Sequence, residues 1–122
     1  MSTEKQIRWL KDLIRNIDKI DAYIASMSRA SFEQDEKTTD AVERCLQRIT
    51  EVAFRLEDHA EEWMPNQDWK GIRGLGNRLR HHYDAVLKDV IWEIITLDLP
   101  SLRHDCAQVL ARLEQELPKK GD

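Results

Sequence analysis

Ile7, Leu10, Leu13, Ile14, Ile17, Ile20 and Ile24 recur at spacings of three and four residues. That spacing places them on one face of an α-helix, while Arg8, Lys11, Asp12, Arg15, Asp18 and Lys19 cover the other faces. The pattern predicts a first helix over residues 4–27, capped by Ser2 or Thr3, with Glu4 near its positive end and Trp9 at one edge of the stripe. Between Met27 and Asp35 the periodicity breaks. Ser28 and Ser31 can each cap a turn, and Ser31-Phe32-Glu33-Gln34 has the spacing of a capping box for a short helix. A second long helix is predicted over 36–63. Its inward positions are Ala41 or Val42, Cys45 or Leu46, Ile49, Val52 or Ala53, and Leu56.

Residues 64–68 read as a loop, because Pro65 disfavours helix at Met64 and Asp68 can cap the next helix. That third helix is predicted over 69–83. A fourth covers 89–97, with Val90, Ile91, Ile94 and Ile95 inward and Trp92 partly buried. Asp98-Leu99-Pro100 closes it, and Pro100 suits the first turn of a fifth helix carrying Leu102, Cys106, Val109, Leu110 and Leu113. Residues 118–122 read as a frayed polar tail. Short connections between such helices imply an all-α fold, an antiparallel four-helix-type bundle with an extra short helix. The first, second, third and fifth helices would be its long members.

Composition agrees with that picture and narrows it. A chain of 122 residues fits a single domain, 1–122, with one core. The net charge of −4 excludes a polycation, so any nucleic-acid site would be a local basic patch. Cys45 and Cys106 are far apart and match no metal spacing, and they read as buried thiols of a reducing compartment. No apolar run approaches membrane-spanning length and the first residues have no apolar leader core. The expectation is a soluble cytoplasmic protein without cofactor or metal.

One stretch departs from ordinary amphipathic helix. Residues 71–84, GIRGLGNRLRHHYD, hold three of the four glycines, two of the four histidines and three arginines. On a wheel of about 100° per residue, Ile72, Leu75, Leu79, Tyr83 and Val86 share a core stripe. Arg73, Asn77, Arg80, His81 and Asp84 form a separate polar stripe. Gly76 lies between the two, where glycine costs roughly 1 kcal/mol relative to alanine and marks a close approach of something to the backbone. His82 falls beside the core stripe and reads as packing or interface, and His59 as a surface histidine in an acidic turn.

The polar stripe has two readings. One is a solvated face carrying weak ion pairs. The other is a site for an anionic ligand. Arg73 and Arg80 supply forked donors for phosphate, His81 supplies an imidazole that can take or give a proton, and Asn77 can orient the imidazole or touch substrate. Those parts suit metal-free phosphodiester cleavage, in which a base takes the proton of a ribose 2′-hydroxyl and an acid protonates the leaving oxygen. A two-fold dimer would bring a second imidazole opposite the first.

Asn77-Arg78-Leu79-Arg80-His81-His82-Tyr83-Asp84, with Val90-Ile91-Trp92 and Asp98-Leu99-Pro100 downstream, resembles the HepT-like family of the HEPN superfamily. The similarity also takes in the first helix, the Glu51 region and Trp69. The resemblance implies a dimeric helical bundle acting as a metal-independent endoribonuclease toxin of a bacterial toxin–antitoxin system. Its partner would be an MntA-like minimal nucleotidyltransferase antitoxin. His81 and Tyr83 match the histidine and tyrosine of the family motif. His81 would be the general acid/base, with Arg80 and Asn77 completing the catalytic group. Arg73 and Arg78 would bind the RNA substrate, and Tyr83 would be the target of adenylylation. The motif arginine normally precedes the asparagine, and that position is Gly76 here, so Arg80 or Arg73 would take its part. The alternative is a catalytically inactive HEPN-type module that binds a nucleotide, RNA or the nucleotidyltransferase.

Overall fold

A computed structural model of the protein describes residues 2–81 and 87–117. Every regular element among them is helical. Helix α1, Thr3–Ile24, starts at Ser2, whose hydroxyl accepts the Lys5 N–H at 3.3 Å. It ends three residues earlier than the pattern predicts, in a turn that the Met27 N–H closes onto the Ile24 carbonyl at 2.9 Å. Helix α2, Arg29–Gln34, carries a reciprocal capping box between Ser28 and Ser31, one turn ahead of the box expected at Ser31. The shift lets α2 drive Phe32 into the core, where it is fully buried with its ring centroid 5.3 Å from that of Trp92.

Helix α3, Glu36–Leu56, is capped by Asp35, which accepts the Thr38 N–H at 3.1 Å. The uninterrupted second helix expected over 36–63 is corrected here. The chain breaks at Glu57 and resumes as α4, Asp58–Trp63. Glu57 sits at φ 52° and ψ −139°, a conformation that costs an ordinary residue on the order of 1–3 kcal/mol. No glycine or proline announces the break, because what holds it is a side chain distant in sequence. The Arg73 guanidinium donates to the Ala53 carbonyl at 3.0 and 3.2 Å and to the Glu57 carbonyl at 2.9 Å.

Asp68 caps α5, Trp69–Arg80, through the Gly71 N–H at 3.0 Å, as its position predicts. Trp69 is buried and donates its indole N–H to the Met64 carbonyl at 2.9 Å, which folds the intervening loop against the core. The described part of the helix closes at His81, whose N–H reaches the Arg78 carbonyl. The expected extension to residue 83 and the expected tail over 118–122 lie outside the described residues.

Helix α6, Leu87–Glu93, does not end at the Asp-Leu-Pro sequence. It passes through a wide π turn, Ile94–Asp98, directly into α7, Leu99–Glu116. The Leu99 N–H reaches back five residues to the Ile94 carbonyl. Pro100 has no N–H to offer and sits in the first turn of α7, so the wider turn carries the chain past it.

The core lies among α1, α3, α5 and α7, the four members expected to be long, although α5 has only 12 residues. Leu10, Leu13, Ile17 and Ile20 of α1 meet Val42, Leu46, Ile49 and Leu56 of α3, all buried. Helix α7 packs on α1 through Leu102, Cys106, Val109 and Leu113. At the rim, Arg103 forks onto Asp18 at 2.7 and 3.1 Å. No helix among the described residues is long and apolar enough to cross a membrane.

Candidate functional site

The wheel sorts α5 correctly where its side chains are described. Leu75 and Leu79 are buried, Ile72 is half-buried, and Asn77, Arg78, Arg80 and His81 are exposed. His82, Tyr83 and Asp84 lie outside the described residues, so the described part of the stripe ends at His81.

Gly76 is buried, and the close approach expected there is made by Thr50. A Cβ built on Gly76 would lie 2.7 Å from the Thr50 hydroxyl oxygen and 2.8 Å from Thr50 Cβ. Thr50 is itself fixed, donating to the Gln47 carbonyl at 2.8 Å. Helix α5 crosses α3 at this point with glycine as the fitting residue. The position that would hold the motif arginine is therefore packed shut by a helix neighbour.

Arg80 and Asn77 are joined. Arg80 Nη2 donates to Asn77 Oδ1 at 2.6 Å, and the guanidinium carbon lies 5.3 Å from the centroid of the Phe54 ring. The amide oxygen of Asn77 thus orients Arg80, whereas the sequence offered it to the imidazole or the substrate. A cation over an aromatic face contributes about 0.5–1 kcal/mol at an exposed site and sets the plane of the guanidinium. His81, the next residue, caps the end of the helix beside this pair.

Arg73 is drawn to another task. Besides its two carbonyl partners it pairs with Glu61 at 2.8 and 3.1 Å, and the guanidinium holds the Glu61 carboxyl below its ordinary value. Four of its five N–H groups are directed at α3, the bend and α4. Arg73 belongs to the polar side of the wheel, but its side chain serves the bend rather than the open face. Arg78 faces a different feature, a cavity of about 490 Å³ whose walls include Thr50, Asp68, Leu75, Leu97 and Leu102. The π turn forms one side of that cavity, and Leu97 stands exposed at its edge.

Phe54 did not stand out in the sequence. The available signal was its position on the wheel, about 140° from Ile49 and hence off the core stripe of α3. Thr50 and Glu61 carried no such signal. Among the described residues no group of three or more His, Cys, Asp and Glu side chains is arranged to hold a metal ion. Both cysteines are buried, and burial pushes the Cys106 thiol up to about 12.

The helical bundle is consistent with the class of small all-α HEPN-like proteins. The model of the family described as Ribonuclease HepT-like matches residues 13–109, and the chain belongs to that family. Among its relatives is "Putative RNase MJ0127" of Methanocaldococcus jannaschii, 29% identical over 114 residues, which covers 93% of this chain and 94% of that one. Another is "Probable ribonuclease HepT" of Thermococcus cleftensis, 27% identical over 95 residues, covering 78% of this chain and 86% of that one. No solved structure gave a significant match.

Proposed function

We propose that the chain is a metal-independent endoribonuclease, the toxin of a toxin–antitoxin pair, cutting RNA at a composite site in a cytoplasmic homodimer. The observation that carries this reading is the exposed His81 beside an Arg80 whose guanidinium is oriented by Asn77 and Phe54. Membership of a ribonuclease family supports it. The imidazole of His81 takes the proton of a ribose 2′-hydroxyl, and the freed oxygen attacks the adjacent phosphorus. The 5′-oxygen leaves with a proton from the imidazole of the second copy. Arg80 stabilises the charge that builds on the phosphate oxygens. Arg78 meets the RNA on another face of α5, beside the cavity, and Arg73 keeps the bend in place. An MntA-like nucleotidyltransferase is the antitoxin, and Tyr83, two residues beyond His81, is the hydroxyl that it adenylylates.

The test is cleavage of a labelled single-stranded RNA by purified protein in the presence of a chelator. Cleavage by the native protein is expected to fall at least about 100-fold in His81→Ala. Equal rates for the two proteins would overturn the enzymatic reading.

The packing of Gly76 against Thr50 favours a second reading, a module that binds RNA or the nucleotidyltransferase without cutting. It is distinguished in the same assay by RNA that is retained by the protein and remains whole.

A further inference from the structure

Phe54 is 38% exposed, although it lies on a helix whose neighbouring positions, Ala53 and Leu56, are fully buried. Its ring faces away from the core stripe and carries the Arg80 guanidinium at 5.3 Å. Arg80 is also exposed, and its Nη2 is held by Asn77 at 2.6 Å. An aromatic ring and a cation are therefore fixed together at the surface, one residue before His81. No acid competes for this arginine among its described contacts, in contrast to Arg73 with Glu61 and Arg103 with Asp18. A surface phenylalanine contributes little to the core here. Its described contact is the orientation of a guanidinium.

We infer that Phe54 and Arg80 form a stacking platform for one unpaired nucleobase of a single-stranded RNA, next to the phosphate that faces His81. The inference rests on the ribonuclease or RNA-binding reading and adds a residue on α3 that positions the strand. Bases of single-stranded RNA stack on aromatic rings and on guanidinium planes, because each base has a π face whatever its hydrogen-bonding edge. A guanidinium can do two things at once. Its face takes the base while its edge N–H groups donate to a phosphate oxygen. Phe54 fixes the plane of Arg80, so it fixes which way that edge points. The platform is accordingly tolerant of base identity but requires that a base be present and unpaired.

The experiment compares two fluorescent RNA strands with identical phosphates, both methylated at every 2′-oxygen to prevent cleavage. One carries all its bases and the other a run of abasic positions. Binding is measured by anisotropy with the full native chain. The native protein is expected to prefer the base-bearing strand by about tenfold, the range of one stacked base. Phe54→Ala and Phe54→Leu are each expected to bind the two strands alike, whereas Phe54→Trp retains the preference. Leucine keeps apolar volume without a π face, so its result does not depend on a packing defect. Equal binding of both strands by the native protein, or a preference that survives Phe54→Leu, would overturn the platform while leaving RNA binding intact. Failure to bind either strand would overturn the RNA reading and the platform with it.

Discussion

Gly76 meets Thr50 at a distance that no side chain could share without movement. Replacing a helical glycine by alanine ordinarily gains about 1 kcal/mol. Here the new methyl would press on Thr50 Oγ1 and Cβ, an overpacking that costs typically about 1–3 kcal/mol. Gly76→Ala is therefore expected to give no gain in urea denaturation and to lower stability by up to about 2 kcal/mol, against the usual sign. Adding Thr50→Gly removes the obstruction, so the double variant should be less destabilised than the sum of the two single ones. Strict additivity would show that the two positions do not press on each other. The same contact explains why the sequence located the glycine but not its reason. Glycine in a helix announces a close approach, whereas the partner, an ordinary threonine on α3, carries no mark.

Elements were legible mainly where their boundaries depend on nearby residues, although the local capping box of α2 and the end of α1 fell about one turn from where the pattern put them. Asp68 announced the start of α5, the choice of Ser2 or Thr3 that of α1, and the three–four spacing gave the buried faces of α1, α3 and α7. Legibility failed at Glu57, where the break is stabilised from Arg73, 16 residues on. It failed again at Asp98-Leu99-Pro100, where a π turn joins two helices that the proline was expected to separate. For the candidate site the polar stripe was readable, but not the division of labour within it. Arg73 and Arg80 look equivalent on a wheel, and only the neighbouring helix distinguishes them. Arg73→Ala is expected to destabilise the fold by about 2 kcal/mol, since it strips a charged donor from two backbone carbonyls and releases the Glu57 bend. Arg73→Lys keeps the charge but not the fork, and should recover only part of the loss. Native-like stability of Arg73→Ala in urea denaturation would show that the bend does not depend on this side chain.

At the scale of the whole molecule, the Asp18–Arg103 pair ties α1 to α7 at the surface. Hydrogen bonds from Arg103 hold the Asp18 carboxyl below its ordinary value. The folded state thus binds that proton less tightly than the unfolded chain. The contribution of the pair is complete above the ordinary carboxylate value of about 4 and is lost as pH falls through the lower folded value. Asp21 is pushed the other way by burial and by Asp18, which offsets part of the effect. Both members of the pair are largely exposed, so the expected magnitude is about 0.2–1 kcal/mol. Arg103→Ala should lower Tm by about 1–4 °C at neutral pH, and the difference from the native protein should shrink toward zero near about pH 2. A difference that stays constant from pH 7 to pH 2 would assign the effect to packing rather than to charge.

The Arg73 contacts also close a ring. Residues 57 and 73 are joined at its base through the Glu57 carbonyl, and Trp69 binds back to Met64 within it. On its outer side Gln67 reaches Ser101 and Asp105 of α7 at 3.0 and 2.9 Å. Local opening costs more where a segment has buried contacts and is tied at several points. Helix α4, the loop and the first turn of α5 are thus bound into one closed segment seated on the core through Ala60, Met64 and Trp69. His81 stands at the opposite end of α5, about two turns past Arg73, so the ring anchors one end of that helix and the Gly76–Thr50 crossing steadies the stretch between.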